Sequence, residues 1–296
     1  MAKRIFGASG RRFFGRDRLD DLGRRLRAGL PGCAFLELLA PSQASIGRVF
    51  EDCRFDGLLL APELAGTPGP AVLLRDDSAP GRRRRVDAAQ SEAPRPADAA
   101  LSLFLRMAAD FVCFAESADA GAGKASDSAA GRPLVLAGPM AVGKSAVAES
   151  LAALSGRRAV DLDVLVEADA GADIPAIFER EGEAGFRRRE SAALARALAD
   201  DASIIATGGG AVLSANNRSL MRSRARVVWL HARPEILAAR ATGVSRPLLA
   251  GGDPLSRLAA IYADRLFLYA MTADWLLDTE ELDARTAAEV IHDEIL

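Results

Sequence analysis

The residues Gly138-Pro139-Met140-Ala141-Val142-Gly143-Lys144-Ser145 fit G-x-x-x-x-G-K-[ST] and follow the apolar run Leu134-Val135-Leu136-Ala137. That order reads as a strand, a phosphate loop and a helix start. Such a loop turns successive backbone N–H groups onto phosphate oxygens, with glycine where a Cβ would block the turn or the phosphate. The helix N-terminus adds unpaired donors and a positive dipole end. Lys144 can reach the β- and γ-phosphates of ATP as a compact charge, and the Ser145 hydroxyl can ligate Mg²⁺. Lysine occurs only at Lys3, Lys124 and Lys144, and a planar guanidinium substitutes poorly for a point charge in a backbone nest.

Downstream residues include candidates that could work with such a loop. Asp161 and Asp163 end the short run 159–163, read as a strand whose period of two puts both carboxylates on one side. One can hold Mg²⁺ through water while the other reaches a substrate hydroxyl. Arg187-Arg188-Arg189 is either an exposed helix face or the source of a bidentate carboxylate clamp. Gly208-Gly209-Gly210 follows the apolar run 203–206. Three glycines are costly in backbone entropy, so something must approach the backbone closely or require a positive φ. Residues 243–252 place Arg246 between glycines, as in a mobile lid. His231 and His292 are the only histidines and neither sits in a motif. Proton transfer by a side chain therefore falls to a carboxylate.

The elements that position these residues alternate between strand and helix. Strands are expected at 134–137, 203–206, 226–230 and 275–278, and helices after the loop and at 174–186, 234–240, 255–269 and 287–296. Residues 1–115 show helices at 17–30, 43–53 and 97–109 and strands at 34–39, 57–61, 71–74 and 111–114, a small parallel α/β domain of unassigned role. Residues 78–96 read as a long loop, and its arginine run 82–85 as a solvated segment beside Asp76, Asp77 and Asp87. Residues 116–132 are small, polar and aperiodic, a flexible linker that makes 133–296 a second domain.

The 296 residues carry 38 basic and 40 acidic side chains, a formal charge of −2 that argues against a generic nucleic-acid binder. Cys33, Cys53 and Cys113 form no C-x-x-C pair, so the sequence suggests neither a disulfide framework nor a zinc site. No run of about 18 apolar residues occurs and residues 1–7 carry no apolar leader, so the expectation is a cytoplasmic protein without a membrane segment.

Residues 133–296 resemble shikimate kinase. The motifs that carry the likeness are the loop at 138–145, Asp161-Leu162-Asp163, Gly182-Glu183 with Phe186-Arg187, Thr207-Gly208-Gly209-Gly210, Arg246-Pro247-Leu248-Leu249, and Arg265 with Tyr269. The resemblance implies a P-loop, nucleoside-monophosphate-kinase-like α/β fold with a parallel sheet sandwiched by helices. It implies transfer of the ATP γ-phosphoryl to the 3-hydroxyl of shikimate. Lys144 and the loop from Gly138 through Ala141, Val142, Gly143, Ser145 and Ala146 would hold phosphates, with Arg240 near the adenine. Ser145 and, through water, Asp161 would hold Mg²⁺. Asp163 would bind the shikimate hydroxyls and orient or deprotonate the nucleophile. Arg187 and Arg265 would clamp the carboxylate, Gly208, Gly209 and Gly210 would line the ring, and Arg246 would close over the transferring group. Ala141 stands where the family commonly has Gly, and Ala146 where Thr is frequent.

Two other readings share these residues. A kinase of another small carboxylated polyol, such as gluconate, would use the same arginine pair. A ligand sensor would use the kinase-like domain to bind and residues 1–115 to engage a protein partner.

Overall fold

The computed structural model describes residues 5–9, 16–29, 33–39, 43–61, 65, 71–75, 83–87, 104, 108, 131–241 and 253–296. The expected helix at 97–109, of which only Phe104 and Ala108 are described, the strand at 111–114, most of the linker and the lid at 243–252 lie outside these residues. The chain divides into two compact units, Met1–Asp127 and Ser128–Leu296.

In the first unit the strands β1 (Ile5–Ser9), β2 (Ala34–Leu38), β3 (Gly57–Leu60), β4 (Ala71–Arg75) and β5 (Arg83–Asp87) stand in the order β5-β4-β3-β1-β2. Helices α1 (Arg16–Gly29) and α2 (Gln43–Asp52) connect the first three strands. β1 pairs in parallel with β2 and β3, whereas β3–β4 and β4–β5 are antiparallel. The expected parallel domain is therefore a mixed sheet, because residues 71–87 return as a hairpin rather than through a crossover. Arg83–Asp87, read from sequence as loop, is the outer strand of that hairpin; a charge-rich strand suits a sheet edge, where it discourages pairing with another chain.

β1 itself escaped the sequence reading. All five of its residues are buried, and its small Gly and Ser positions dilute the apolar signal. The glycine is there for space. A Cβ on Gly7 would lie 2.5 Å from Phe55 Cε1 and 2.9 Å from the Leu36 carbonyl oxygen. At the strand's start, Ile5 N–H donates to Asp56 Oδ2 at 2.8 Å and Asp56 N–H returns a bond to the Ile5 carbonyl at 2.7 Å.

Among the described residues the second unit contains five strands, all parallel: β6 (Leu134–Ala137), β7 (Arg158–Asp161), β8 (Ser203–Ala206), β9 (Arg226–His231) and β10 (Trp275–Asp278), ordered β10-β9-β6-β8-β7. The central strands β6 and β8 are buried along their length, which is why they read as unbroken apolar runs. The chain crosses from β8 over β6 to β9, so the crevice beyond the carboxyl end of β6 is a topological switch point, where such sheets bind ligands. Helix α3 (Lys144–Ser155) opens at that crevice and packs against β6, β7, β8 and the last helix, α9 (Ala284–Ile295). The remaining helices are α4 (Leu162–Ala170), α5 (Ile174–Ala197), α6 (Ala215–Arg224), α7 (Pro234–Arg240) and α8 (Pro254–Thr272). Among the described residues no helix is long and apolar enough to cross a membrane.

Gly7→Ala is expected to lower the unfolding free energy by about 1–3 kcal/mol, read as a lower guanidinium midpoint at constant slope. An unchanged midpoint would mean that the Phe55 ring yields without cost.

Candidate active site

The phosphate loop joins β6 to α3 through three residues with positive φ: Gly138 (φ 144), Ala141 (φ 63) and Gly143 (φ 97). A Cβ on Gly138 would stand 2.4 Å from the Leu230 carbonyl oxygen, so this glycine is needed for space as well as for conformation. Met140 and Val142 are buried and anchor the loop from beneath. Lys144 Nζ donates to the carbonyl oxygens of Gly138 at 3.0 Å and Pro139 at 2.7 Å, arching over the loop it belongs to.

Asp161 and Asp163 are not the extended pair expected from their spacing. The strand stops at Asp161, and Asp163 lies in the first turn of α4. Asp161 is the N-cap of that helix: its Oδ1 accepts the Asp163 N–H at 2.9 Å, which orders the turn in place of a continued strand. Its other oxygen accepts the Ser145 hydroxyl at 2.5 Å. Ser145 and Asp161 thus bring two oxygen donors together beside the loop, a donor set that fits a hard cation such as Mg²⁺. Asp163 stands in the first turn of α4, at the helix's positive end.

The three glycines after β8 are explained by close approach, since none has a positive φ. A Cβ on Gly208 would stand 2.6 Å from Glu190 Oε1 and 3.0 Å from Asp163 Oδ1. On Gly209 it would meet Met140 N at 3.2 Å, and on Gly210 the Arg187 guanidinium at 2.3 Å. The Gly209 carbonyl accepts Arg265 Nη1 at 3.1 Å and the Tyr269 hydroxyl at 2.6 Å. Asp163, Arg187 and Arg265 therefore converge on one short stretch of bare backbone. Thr207 fixes its start, donating from both N–H and hydroxyl to the Leu136 carbonyl in the strand that feeds the phosphate loop.

Arg187 donates from Nη1 to Glu190 Oε2 at 2.8 Å and from Nη2 to Glu183 Oε1 at 3.3 Å. Burial works against its charge, but Glu190 and Glu183 outweigh that and hold the guanidinium above its ordinary pKa. Glu190, only 1% exposed, has its carboxyl pushed up by burial, with Arg187 opposing and Asp163 adding to the rise. Among the described residues its Oε1 and Arg187 Nε have no hydrogen-bond partner. Burial likewise raises the pKa of Tyr269, which is stacked on Trp229 with ring centroids 5.8 Å apart.

Sequence reasoning missed Glu190. Its available signal was the i,i+3 spacing from Arg187, which puts an acid on the same helix face as that guanidinium. Arg240 donates to the carbonyls of Thr279 at 2.6 Å and Glu280 at 3.2 Å, so the turn after β10 holds it. Arg246 lies outside the described residues. His231 is fully buried with Nδ1 2.6 Å from the Tyr262 hydroxyl, and His292 lies on the surface beside Asp293.

Ala141 carries a Cβ in the left-handed region, which costs about 1–2 kcal/mol for an L-residue. Ala141→Gly relieves that cost and adds unfolded-state entropy. The expected net gain is about 0.5–1 kcal/mol, measured by denaturant titration; a loss of stability would show that the Cβ contributes packing exceeding the strain.

A family model for shikimate kinase matches residues 140–296. The shikimate kinase of Symbiobacterium thermophilum is 50% identical over 161 residues, covering 53% of this chain and 91% of that protein. The shikimate kinase of Marinomonas sp. is 39% identical over 165 residues, covering 55% and 91%. Among solved structures, shikimate kinase from Acinetobacter baumannii in complex with shikimate matches with a TM-score of 0.53 at 38% identity, over 54% of this chain and 90% of that one. These matches fall on the part of the chain that carries the six motifs, and the chain belongs to the shikimate kinase family.

Proposed function

We propose that the unit Ser128–Leu296 transfers the γ-phosphoryl group of ATP to the 3-hydroxyl of shikimate. The observation that carries this reading is the convergence of Asp163, Arg187 and Arg265 on Gly208–Gly210, next to the phosphate loop. A carboxylate clamp and a hydroxyl-binding acid then face one bare-backbone floor, which suits a small carboxylated polyol. That the relative from Acinetobacter baumannii was solved with shikimate supports the choice of acceptor.

The roles follow from the chemistry of each group. The backbone from Gly138 through Ala141, Val142, Gly143, Ser145 and Ala146, together with Lys144, holds the phosphates. Arg187 offers its carboxylate-binding edge by exchanging one partner: the 3.3 Å contact to Glu183, whose side chain is 59% exposed, gives way more readily than the buried bond to Glu190. Arg265, anchored on the Gly209 carbonyl, supplies the second guanidinium. Glu190 Oε1, buried and unpaired beside Asp163, is an acceptor that a substrate hydroxyl can satisfy. Asp163 orients the nucleophilic hydroxyl and takes its proton as the bond to phosphorus forms. Arg246 stabilises charge on the transferring group, and Arg240 flanks the adenine. Ser145 and Asp161 would hold Mg²⁺, which would supply charge neutralisation for the ATP phosphates.

Residues 1–115 are read as a separate domain joined through 116–132, which is supported by the division of the chain at Asp127 and Ser128. That domain is the candidate surface for a protein partner.

ADP release with Mg²⁺-ATP is expected to depend on shikimate, and to be no faster with gluconate than without acceptor. Equal or faster release with gluconate would overturn the acceptor assignment. Asp163→Asn is expected to lower kcat by about 10²–10⁴ while the protein stays folded by circular dichroism; near-wild-type turnover would remove Asp163 from the chemistry.

A further inference from the structure

Helix α5 is continuous except at Gly182, where φ 67 and ψ −178 break the helical path. The break divides it into a first arm, 174–181, and a second arm, 183–197. A Cβ on Gly182 would meet nothing within 4 Å, so the glycine is required by the backbone angle alone. Every contribution of this helix to the acceptor site comes from the second arm, through Glu183, Arg187 and Glu190.

Three contacts cross the bend. Arg189 on the second arm forks onto Glu181 on the first, with Nε to Oε2 and Nη2 to Oε1 both at 2.9 Å. The Phe178 ring packs on Phe186 with centroids 4.8 Å apart. Gly185 permits the approach, since a Cβ there would lie 2.3 Å from Glu181 Cβ. Arg180 adds a bond to Glu181 Oε1 at 2.9 Å. Arg189 first, then Arg180, hold the Glu181 carboxyl down to about 2, so it is ionised throughout the neutral range.

Exposed ion pairs usually contribute little, but this one is bidentate and its side chains are only 21% and 34% exposed. Its position matters more than its strength. Arg189 follows Arg187 by two residues, so the two side chains leave the second arm on nearly opposite sides. The arm is gripped on one side at Gly210 through Arg187 and on the other at the first arm through Arg189. The first arm is itself fixed to α4: the Ile174 N–H donates to Glu167 Oε1 at 3.0 Å, and Ile177 is fully buried. Helix α4 carries Asp163 in its first turn. A chain of contacts thus runs from Asp163 along α4 to the first arm, across Glu181–Arg189, and into the arm that bears Arg187.

We propose that the Glu181–Arg189 pair is a positioning element that fixes Arg187 relative to Asp163, and so sets the affinity for the acceptor. This rests on the assignment of shikimate as acceptor. Neither residue touches the acceptor; both act through the bend.

The test is steady-state kinetics on the full chain with Mg²⁺-ATP and shikimate, for the wild type, Glu181→Gln, Arg189→Gln, the double variant, and Arg285→Gln. The last removes a surface ion pair with Glu289 far along the chain in α9. Each single variant at the bend is expected to raise the shikimate KM about tenfold, with kcat and the KM for ATP within about twofold. The double variant is expected to be no worse than either single change, because both remove one coupled interaction, and Arg285→Gln is expected to match the wild type. If Glu181→Gln melts below the assay temperature, Arg189→Lys carries the test: it keeps the charge but loses the planar fork, and a KM rise of about threefold is expected. Wild-type protein without shikimate-dependent ADP release would overturn the acceptor assignment and, with it, this proposal. An active wild type whose shikimate KM is unchanged in the bend variants, or whose kcat falls as far as KM rises, would overturn the proposal alone.

Discussion

The acceptor side of the site depends on a stretch of backbone with no room for a side chain. At Gly208, Gly209 and Gly210 the space of the missing Cβ is taken by the Glu190 carboxylate, the phosphate-loop backbone and the Arg187 guanidinium respectively. Three glycines in a row sacrifice chain entropy, roughly 0.5–1 kcal/mol each relative to alanine. What that sacrifice secures is adjacency. The same run holds α5 through Arg187 and Glu190, the phosphate loop through Met140, and α8 through Arg265 and Tyr269. A methyl group at any of the three would press on one of those elements, so α5, the phosphate loop and α8 share a single steric constraint.

Electrostatics work on top of that constraint. Two guanidiniums, Arg187 and Arg265, stand among the carboxylates of Glu190 and Asp163 in a region where burial already raises the pKa of Glu190 and Tyr269. A buried ion pair of this kind returns little net stability, because desolvation consumes much of the attraction. Its value is directional. Glu190 holds one edge of Arg187 from inside, so the exchangeable edge is the one facing exposed Glu183. Arg187 is thereby oriented by its own neighbours, and in the carboxylate-binding role proposed for it that order would lower the ordering cost of binding.

Legibility in the sequence followed how local each requirement was. The phosphate loop declares itself within eight residues because the demand for donors, positive φ and one compact cation is satisfied by consecutive positions. The triple glycine was legible as a place of either close approach or positive φ, although nothing local could decide between them or say that Arg187 and Glu190 do the approaching. Asp163 was placed wrongly on a strand, since period two fits an extended segment and equally fits an N-cap followed by a helical second residue. The bend at Gly182 was hidden because helix-forming residues flank it on both sides. In the first unit, β1 was missed because close packing of Gly7 against Phe55 replaces the side chains by which a buried strand is usually recognised. The hairpin strand Arg83–Asp87 was missed because its arginine run reads as a loop in sequence, whereas backbone pairing with Ala71–Arg75 makes it a strand.

Asp161 shows why fold and chemistry cannot be separated at this site. One of its oxygens caps α4 and thereby fixes the turn that presents Asp163; the other receives the Ser145 hydroxyl at the start of α3. The cap orders the turn that carries Asp163, and the hydroxyl contact brings two oxygen donors together beside the phosphate loop. A neutral isostere at this position keeps a cap-competent oxygen yet weakens the attraction to a hard cation, whereas a methyl side chain removes both. The two substitutions therefore report different things, and only the first isolates the electrostatic contribution of the carboxylate from its work in ending the strand.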